Sequence, residues 1–309
     1  MSILREQDLR QIEQTLYTPK ENELVARKIL RVNTNYNKFA SSVGYHWYSR
    51  KGSAKIFASG ASAKDVPFVG EDGGEIIAKV YDIITGVRYT FKELEASQMR
   101  GTQTNVPSLR LEVTRIETAR RVVAETENRL VLVGDANSKI KGLLNMTNIN
   151  IEDVAQGAFV GTAALKRQFI NKTPKEILKD LLRAKTVSRN KGLFNPDTLV
   201  LPPDQYDMLD QPYSDTSTMT IRAWLTSQGI NFPKVFSARE LSAEFNGIGV
   251  DCLLVLDSSP EVAEIAVTRD LEIMAPVYDF VGNSEQAILQ STAGATIRHP
   301  QAIYVGKGI

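Results

Sequence analysis

Hydrophobic and polar positions near the start of the chain follow a helical period. Apolar residues recur at helical spacing among charged ones in the first segment, which predicts an amphipathic helix there. Pro19 marks a break, and a second amphipathic stretch follows from Leu24 to Leu30. This segment has too few apolar residues to form a core of its own. We therefore expect residues 1–37 to form an arm that lies on another surface.

The pattern from Tyr45 to Phe91 predicts a very long β-hairpin. Both flanks carry strand-forming residues, whereas the middle, Arg50 to Glu75, is rich in Gly, Ala, Ser and Lys. If the middle folds back on itself, each arm has about 12 residues and extends roughly 40 Å. A compact chain of this length has a radius of gyration of about 19 Å. Since isolated two-stranded ribbons are marginal in water, we expect this hairpin either to be flexible or to rest on another molecule.

The strongest helical pattern runs from Ser108 to Val133, where neither Gly nor Pro occurs. Pro107 suits the first turn of a helix, and Gly134 supplies a stop. Apolar residues form a stripe along this segment and charged residues cover the remaining faces. The sequence therefore predicts one uninterrupted helix over about 107–133, with a length of about 39 Å.

Beyond Ile149 the pattern becomes that of an α/β domain. Thr173, Pro174 and Glu176 have the spacing of a capping box at a helix start. Strands are predicted at "DTLVLP", "KVFS", "VDCLLVLD" and "EIAVTRDLEI", and helices at "PDQYDMLD" and "TSTMTIRAWLTSQG". The terminal "ATIRHPQAIYVGKGI" is predicted to form two short strands broken by Pro300.

Composition is that of an ordinary globular protein, but the charge is unevenly distributed. The net charge of +1 argues against a dedicated nucleic-acid reader, and no apolar run approaches the roughly 20 residues that span a bilayer. Residues 1–60 carry a net +5, residues 160–195 a net +7 and residues 240–285 a net −9. Two interpretations stay open: solvated faces with chance clustering, or surfaces of opposite sign that meet between copies.

Candidate catalytic and metal-binding chemistry is sparse. His46 and His299 lie far apart and belong to no metal-ligand pattern. Cys252 sits in an apolar strand pattern, where a buried inert thiol is expected, and a lone cysteine excludes an internal disulfide. No serine elbow or phosphate loop occurs, and "GEDGGE" lacks the spacing of a dinucleotide fingerprint. We therefore expect no catalytic residue, no metal and no cofactor.

The order of these parts, with "GDANSKIKGLLN" after the long helix and "IRHPQAIYVGKGI" at the end, resembles the major capsid proteins of tailed bacteriophages. Their fold is shared with encapsulin shell proteins. The resemblance implies an α+β fold with an N-terminal arm, an extended β-hairpin loop, a peripheral domain with a long spine helix, and an α/β axial domain. The implied boundaries are 1–37 for the arm, 38–85 for the extended loop and flanking strands, 86–148 for the peripheral domain, 149–278 for the axial domain and 279–309 for a return to the peripheral strands.

The resemblance also implies a function. The chain would self-assemble into the pentamers and hexamers of an icosahedral shell around double-stranded DNA, which it would enclose without sequence-specific binding. Because Met1 leads almost directly into the arm, the resemblance implies a separate scaffold protein, or none. The other implied partners are a portal and an optional decoration protein, with no membrane. The location would be the virion, assembled in the host cytoplasm. Two alternatives are an encapsulin-like compartment around a cargo enzyme and an α/β enzyme with a long lid loop.

Two sets of site residues follow. Because aromatic residues are enriched at interfaces, those of the hairpin are expected to anchor a neighbour rather than fill their own core. The expected inter-subunit contacts are Tyr17, Trp47, Tyr48, Lys51, Lys55, Phe57, Lys64, Phe68, Glu71 and Asp72. The basic residues Arg27, Lys28 and Arg31 of the arm are expected to face the interior. Some members of the family cross-link a hairpin lysine, but here the hairpin lysines are expected to be solvated charges.

Overall fold

The computed structural model describes residues 20–57, 66–100, 111–214, 218–227 and 232–309. In this part of the chain, two five-stranded sheets, one long helix and a separate two-stranded ribbon organise the fold. The helices are α1 (Ala26–Ile29), α2 (Phe91–Arg100), α3 (Leu111–Leu132), α4 (Ala163–Arg167), α5 (Pro174–Ser188), α6 (Pro203–Met208) and α7 (Ile221–Ser227). The strands are β1 (Val32–Asn33), β2 (Ser42–Lys51), β3 (Gly70–Lys79), β4 (Tyr81–Tyr89), β5 (Gly134–Asp135), β6 (Ile140–Lys141), β7 (Asn150–Asp153), β8 (Thr198–Leu201), β9 (Lys234–Ser237), β10 (Cys252–Leu256), β11 (Ala263–Ile273), β12 (Val277–Tyr278), β13 (Ser284–Ile297) and β14 (Tyr304–Lys307).

The first sheet is built around β13. Strand β4 pairs with one edge of β13, and β11 and β12 each pair with the other edge; these three pairings are antiparallel. Strand β1 pairs with β11 in parallel. The prediction of a short strand before Pro300 was wrong in length, because β13 has 14 residues. Most of its second half is buried, so its small residues show no alternation of polar and apolar positions that would reveal a strand.

The second sheet has the order β7-β14-β10-β8-β9. Leu253 and Val255 of β10 pack with α5, α6 and α7 on one face. Leu254 and Leu256 point to the other face, where the end of α3 contributes Val131 and neighbouring apolar residues. The period of two along β10 therefore places one hydrophobic core on each side of this sheet. The predicted strands at β8, β9, β10 and β11 and the helix at α6 are confirmed.

Strand pairing does not follow the boundaries drawn from the sequence. Strand β11, assigned to the axial domain within 149–278, pairs with β13 in the first sheet. Strand β14, assigned to the returning segment 279–309, pairs with β7 and β10 in the second sheet. The boundary between 38–85 and 86–148 falls inside β4. These pairings join residues distant in sequence, so local composition does not reveal them.

Helix α3 spans 22 residues, which is about 33 Å. The predicted stop is confirmed: the helix ends at Leu132, and Gly134 takes a φ of +83°. A Cβ on Gly134 would lie 2.5 Å from the carbonyl oxygen of Ile140, so only glycine fits this exit. Pro107 and the predicted helix start lie outside the described residues.

Part of the arm lies on the body of its own chain. The side chains of Val25, Ala26, Ile29 and Leu30 are at most 2% exposed and belong to the core between the two sheets. The Oδ1 atom of Asn128 on α3 accepts hydrogen bonds from the first two of these backbone N–H groups, at 3.0 and 2.8 Å. The surface that the second amphipathic stretch was expected to require is thus provided by α3. The helix predicted before Pro19 lies outside the described residues.

Candidate subunit interface

The predicted hairpin is present in part, as a ribbon formed by β2 and β3. The prediction that it extends to Phe91 was wrong, because β4 pairs with β13 in the first sheet. Strands β2 and β3 pair antiparallel from Ser42 opposite Lys79 to Lys51 opposite Gly70. Ten residues per strand extend about 33 Å. We call residues 42–79 the ribbon; of these, residues 58–65, which include Lys64, lie outside the described residues, as does Tyr17.

Burial decreases along one face of the ribbon. Val43 is only 5% exposed and packs against Ala266 and Ala293 of the first sheet. Tyr45, the next residue on that face, is half-buried, whereas Trp47 is already 43% exposed. Since alternate residues of a strand share a face, the ribbon leaves the body of its own chain between Tyr45 and Trp47.

The ribbon exposes many large apolar side chains, most of them beyond Tyr45. They are Trp47, Tyr48, Ile56, Phe57, Val66, Phe68 and Val69, together with Ile76 opposite Tyr45 and Ile77 opposite Gly44. Phe68 is 91% exposed, and Phe57 is 41% exposed. Large apolar side chains exposed in this number are typical of interaction sites in soluble proteins. The aliphatic members of this group were not selected from the sequence, although apolar residues in a stretch of Gly, Ala and Ser are a detectable signal.

Charged residues of the ribbon lie among these apolar side chains. Lys51 Nζ is 2.7 Å from Asp72 Oδ2 on the opposite strand, a cross-strand ion pair that contributes roughly 0.2–1 kcal/mol. Arg50 lies opposite Glu71 in the strand register, and Lys55 is exposed. The structure thus brings together, on the ribbon, all the predicted contact residues that it describes.

The predicted interior residues of the arm have different environments. Arg27 Nε lies 2.8 Å from Glu127 Oε2, whose side chain is 3% exposed, and Arg27 also pairs with Asp270 at 3.2 Å. Lys28 pairs with Glu23, and Arg31 is exposed. Arg27 therefore has a structural role within its own subunit, because a buried carboxylate without its partner is costly.

The two histidines and the cysteine lie in surroundings that do not form a reactive or metal-binding site among the described residues. Burial raises the pKa of the Cys252 thiol to about 11, so little of the reactive thiolate forms at neutral pH. The His299 ring packs on Phe194 with centroids 5.5 Å apart, and His46 is exposed on the ribbon. Among the residues that the structure describes, no group of three or more His, Cys, Asp or Glu could hold a metal ion. No helix in that same part of the chain has the length and apolar character needed to cross a bilayer.

An α+β fold with an apolar ribbon that projects beyond its own core is typical of proteins that assemble from copies of one chain. The family model for major capsid proteins matches residues 52–309, so the chain belongs to the major capsid protein family. Its role is that of a structural component of a capsid shell and not that of an enzyme, and the virion capsid is its location. No curated protein matches the chain in sequence.

Solved structures show the same fold. The capsid of Myoviridae phage XM1 matches with a TM-score of 0.80 and 14% identity, over 100% of this chain and 99% of that one. A structure of Mycobacterium phage Ogopogo matches with a TM-score of 0.65 and 11% identity, over 99% of both chains. A virus-like particle from Pyrococcus furiosus matches with a TM-score of 0.56 and 15% identity, over 90% of both chains. The tailed-phage capsid fold predicted from the sequence is confirmed, and neither alternative function is favoured.

Proposed function

We propose that copies of this chain assemble through the ribbon into the pentamers and hexamers of an icosahedral shell around double-stranded DNA. The observation that carries the proposal is the uncovered apolar surface beyond Tyr45. Burying one Val, Ile or Phe side chain contributes about 1.5–3 kcal/mol, so several such side chains supply a substantial driving force for binding a neighbour. Closed symmetry repeats each contact around the shell.

The ribbon residues divide into two roles in this proposal. Trp47, Tyr48, Phe57 and Phe68 form the apolar centre of the contact, as aromatic residues do at interface cores. Lys51, Lys55, Lys64, Glu71 and Asp72 form its polar rim. Tyr17 remains a proposed contact of the arm.

The contents and partners of the shell belong to the same proposal. A net charge of +1 is consistent with a shell that encloses DNA but binds its phosphates only weakly. Lys28 and Arg31, which are exposed, would face the interior together with Arg27. A separate scaffold protein, a portal and a possible decoration protein would take part in assembly in the host cytoplasm. The similarity to a phage capsid over the whole chain supports this assignment.

Replacing the loop between the two strands of the ribbon tests the proposal. Lys51 and Gly70 are the last paired residues, so residues 52–69 can be replaced by Asn-Gly, which favours a tight hairpin turn. The subunit is expected to fold with an unchanged melting temperature, because this loop adds nothing to the described hydrophobic cores. Particle formation, measured by sedimentation and negative-stain microscopy, is expected to be lost.

Point variants control for the length of the loop. Phe68→Ser removes one exposed aromatic ring and is expected to reduce particle yield at least tenfold. Ser53→Ala changes an exposed residue of the same loop that has no proposed contact and leaves the apolar residues in place, so its yield is expected to stay within about twofold of the wild type. Particles of normal size from the loop-replaced chain would show that the ribbon does not mediate assembly.

A further inference from the structure

A buried carboxylate stands at the base of the ribbon. Glu264 on β11 is 5% exposed and accepts hydrogen bonds from Asn33 Nδ2 at 2.9 Å and from the Tyr36 hydroxyl at 3.0 Å. The Arg298 guanidinium donates to the same carboxylate oxygen. We call Asn33, Tyr36, Tyr45, Glu264 and Arg298 the base cluster.

The positions of the side chains in the base cluster are constrained because the Glu264 carboxylate is buried. Burial acts to raise the pKa of Glu264, but the donors Asn33, Arg298 and Tyr36 together hold that pKa below its ordinary value. A buried carboxylate that loses a donor incurs a desolvation cost. Three donors from two segments of the chain, Asn33 and Tyr36 from one and Arg298 from the other, are therefore kept in fixed positions around one carboxylate.

The base cluster is connected directly to the first strand of the ribbon. The Arg298 guanidinium lies 5.8 Å from the centre of the Tyr45 ring, and the Tyr45 hydroxyl donates to the carbonyl of Ile297 at 2.8 Å. Val43 packs two residues earlier on the same face. Tyr45 is thus the last side chain that ties this face of the ribbon to its own body before the exposed Trp47.

We propose that the base cluster is a rigid joint that fixes the direction in which the ribbon leaves the subunit, and thereby where it meets the neighbouring copy. The second half of this inference rests on the proposed function. From Tyr45 to Lys51 the strand extends about 20 Å, so a tilt of about 10° at its base displaces Lys51 by roughly 3.5 Å. Apolar contacts are lost over a similar distance. Small changes at the joint are therefore amplified at the interface.

The joint can be tested on the unassembled subunit by measuring distances between two spin labels. One label is placed on the ribbon with Glu71→Cys and the other on α3 with Glu117→Cys, both at exposed positions. Cys252 can stay in place, since it is buried and its pKa is raised to about 11. Double electron–electron resonance then reports the distribution of ribbon directions.

Tyr45→Phe and Glu264→Gln are the test variants, and Tyr36→Phe replaces Glu264→Gln if that chain fails to fold. The matched control is Tyr81→Phe, which also deletes a tyrosine hydroxyl bonded to a backbone carbonyl, that of Ser138 at 2.8 Å. A narrow distance distribution is expected for the wild type and the control, and a broader or displaced one for the test variants. A wild-type distance distribution as broad as that of Tyr45→Phe would contradict the proposal that the base cluster is a rigid joint. Equal broadening in the control variant would contradict it as well.

Particle yield of the same variants tests the consequence for assembly. Tyr45→Phe is expected to reduce the yield at least tenfold with no larger drop in melting temperature than the control. Wild-type yield from a variant with a broadened distribution would overturn the link between ribbon direction and assembly. If instead the loop-replaced chain forms normal particles, the proposed function fails, while the distance distributions still decide whether the joint exists.

Discussion

At the scale of single residues, the most buried ion pair described in the structure joins Lys172 and Asp180. The Nζ and Oδ2 atoms are 2.5 Å apart, and the two side chains are only 1% and 7% exposed. Burial raises the pKa of Asp180, and the hydrogen bond from Lys172 counteracts that effect. Lys172 also lies 5.6 Å from the centre of the Phe169 ring, in the core beneath α5. The pair therefore ties the segment before α5 to the helix itself.

Removing one partner of this pair is expected to destabilise the subunit strongly. Asp180→Ala leaves the Lys172 ammonium buried without its counter-ion, and the expected loss is about 3–5 kcal/mol in the free energy of unfolding. The double variant Lys172→Met with Asp180→Leu removes both charges and keeps apolar volume, so it is expected to lie within about 1 kcal/mol of the wild type. Urea unfolding of the unassembled subunit measures both. Equal losses in the two variants would assign the effect to packing and not to charge.

Local residue chemistry was predictable where it acts over a few positions. The capping box at α5 was predicted from spacing alone, and Glu176 accepts from both the Thr173 N–H at 2.8 Å and its hydroxyl at 2.9 Å. The same sequence did not identify the Lys172–Asp180 pair among nine basic residues in 160–195. Which charges become buried depends on how the helix packs on the sheet.

At the scale of elements, the exit of α3 depends on a glycine pair. Gly134 has a φ of +83°, and a Cβ on Gly142 would lie 2.5 Å from the backbone nitrogen of Gly134. The chain turns here into β5 and β6, which pair with each other at Gly134–Lys141 and Asp135–Ile140. The close approach of two backbones fixes where the helix ends.

Gly134→Ala is expected to destabilise the subunit more than Gly192→Ala does. Both glycines have positive φ, +83° and +93°, but a Cβ at Gly192 has nothing within 4 Å. The Gly192 variant therefore reports the backbone cost alone, about 1–2 kcal/mol. The Gly134 variant adds a clash with backbone atoms, for which we expect at least about 1 kcal/mol more. Thermal unfolding compares the two, and equal melting temperatures would rule out the steric contribution.

At the scale of the whole molecule, part of the uneven charge is explained within one chain. Arg27 of the basic first segment pairs with Asp270 at 3.2 Å, and Lys38 pairs with Glu272. Two acidic residues of the 240–285 segment are thus neutralised by the segment that leads into the ribbon. These pairs reduce the charge available for contacts between copies.

The proposed interior position of the arm is testable in assembled particles. Lys28→Gln with Arg31→Gln removes two exposed charges, and we expect less nuclease-protected DNA per particle, because fewer phosphates are neutralised. Arg27 is left unchanged, because its removal would leave the buried Glu127 carboxylate without this ion-pair partner. Lys175→Gln with Lys179→Gln makes the same change in net charge on α5 and is expected to leave DNA content unchanged. Unchanged DNA content in the Lys28 and Arg31 variant would contradict an interior arm.

The sequence by itself determined a long hairpin, an uninterrupted helix ended by Gly134, and the β8, β9 and β10 strands with their capped helix α5. These features depend on period, turn chemistry and caps, which act between neighbours in sequence. Only the tertiary structure decided that β11 and β13 share a sheet with β4, that residues 25–30 pack against α3, and that Glu264 accepts hydrogen bonds from Asn33, Tyr36 and Arg298 at the base of the ribbon. Such pairings bring distant residues together, and their free energy comes from shared burial, which no local pattern records.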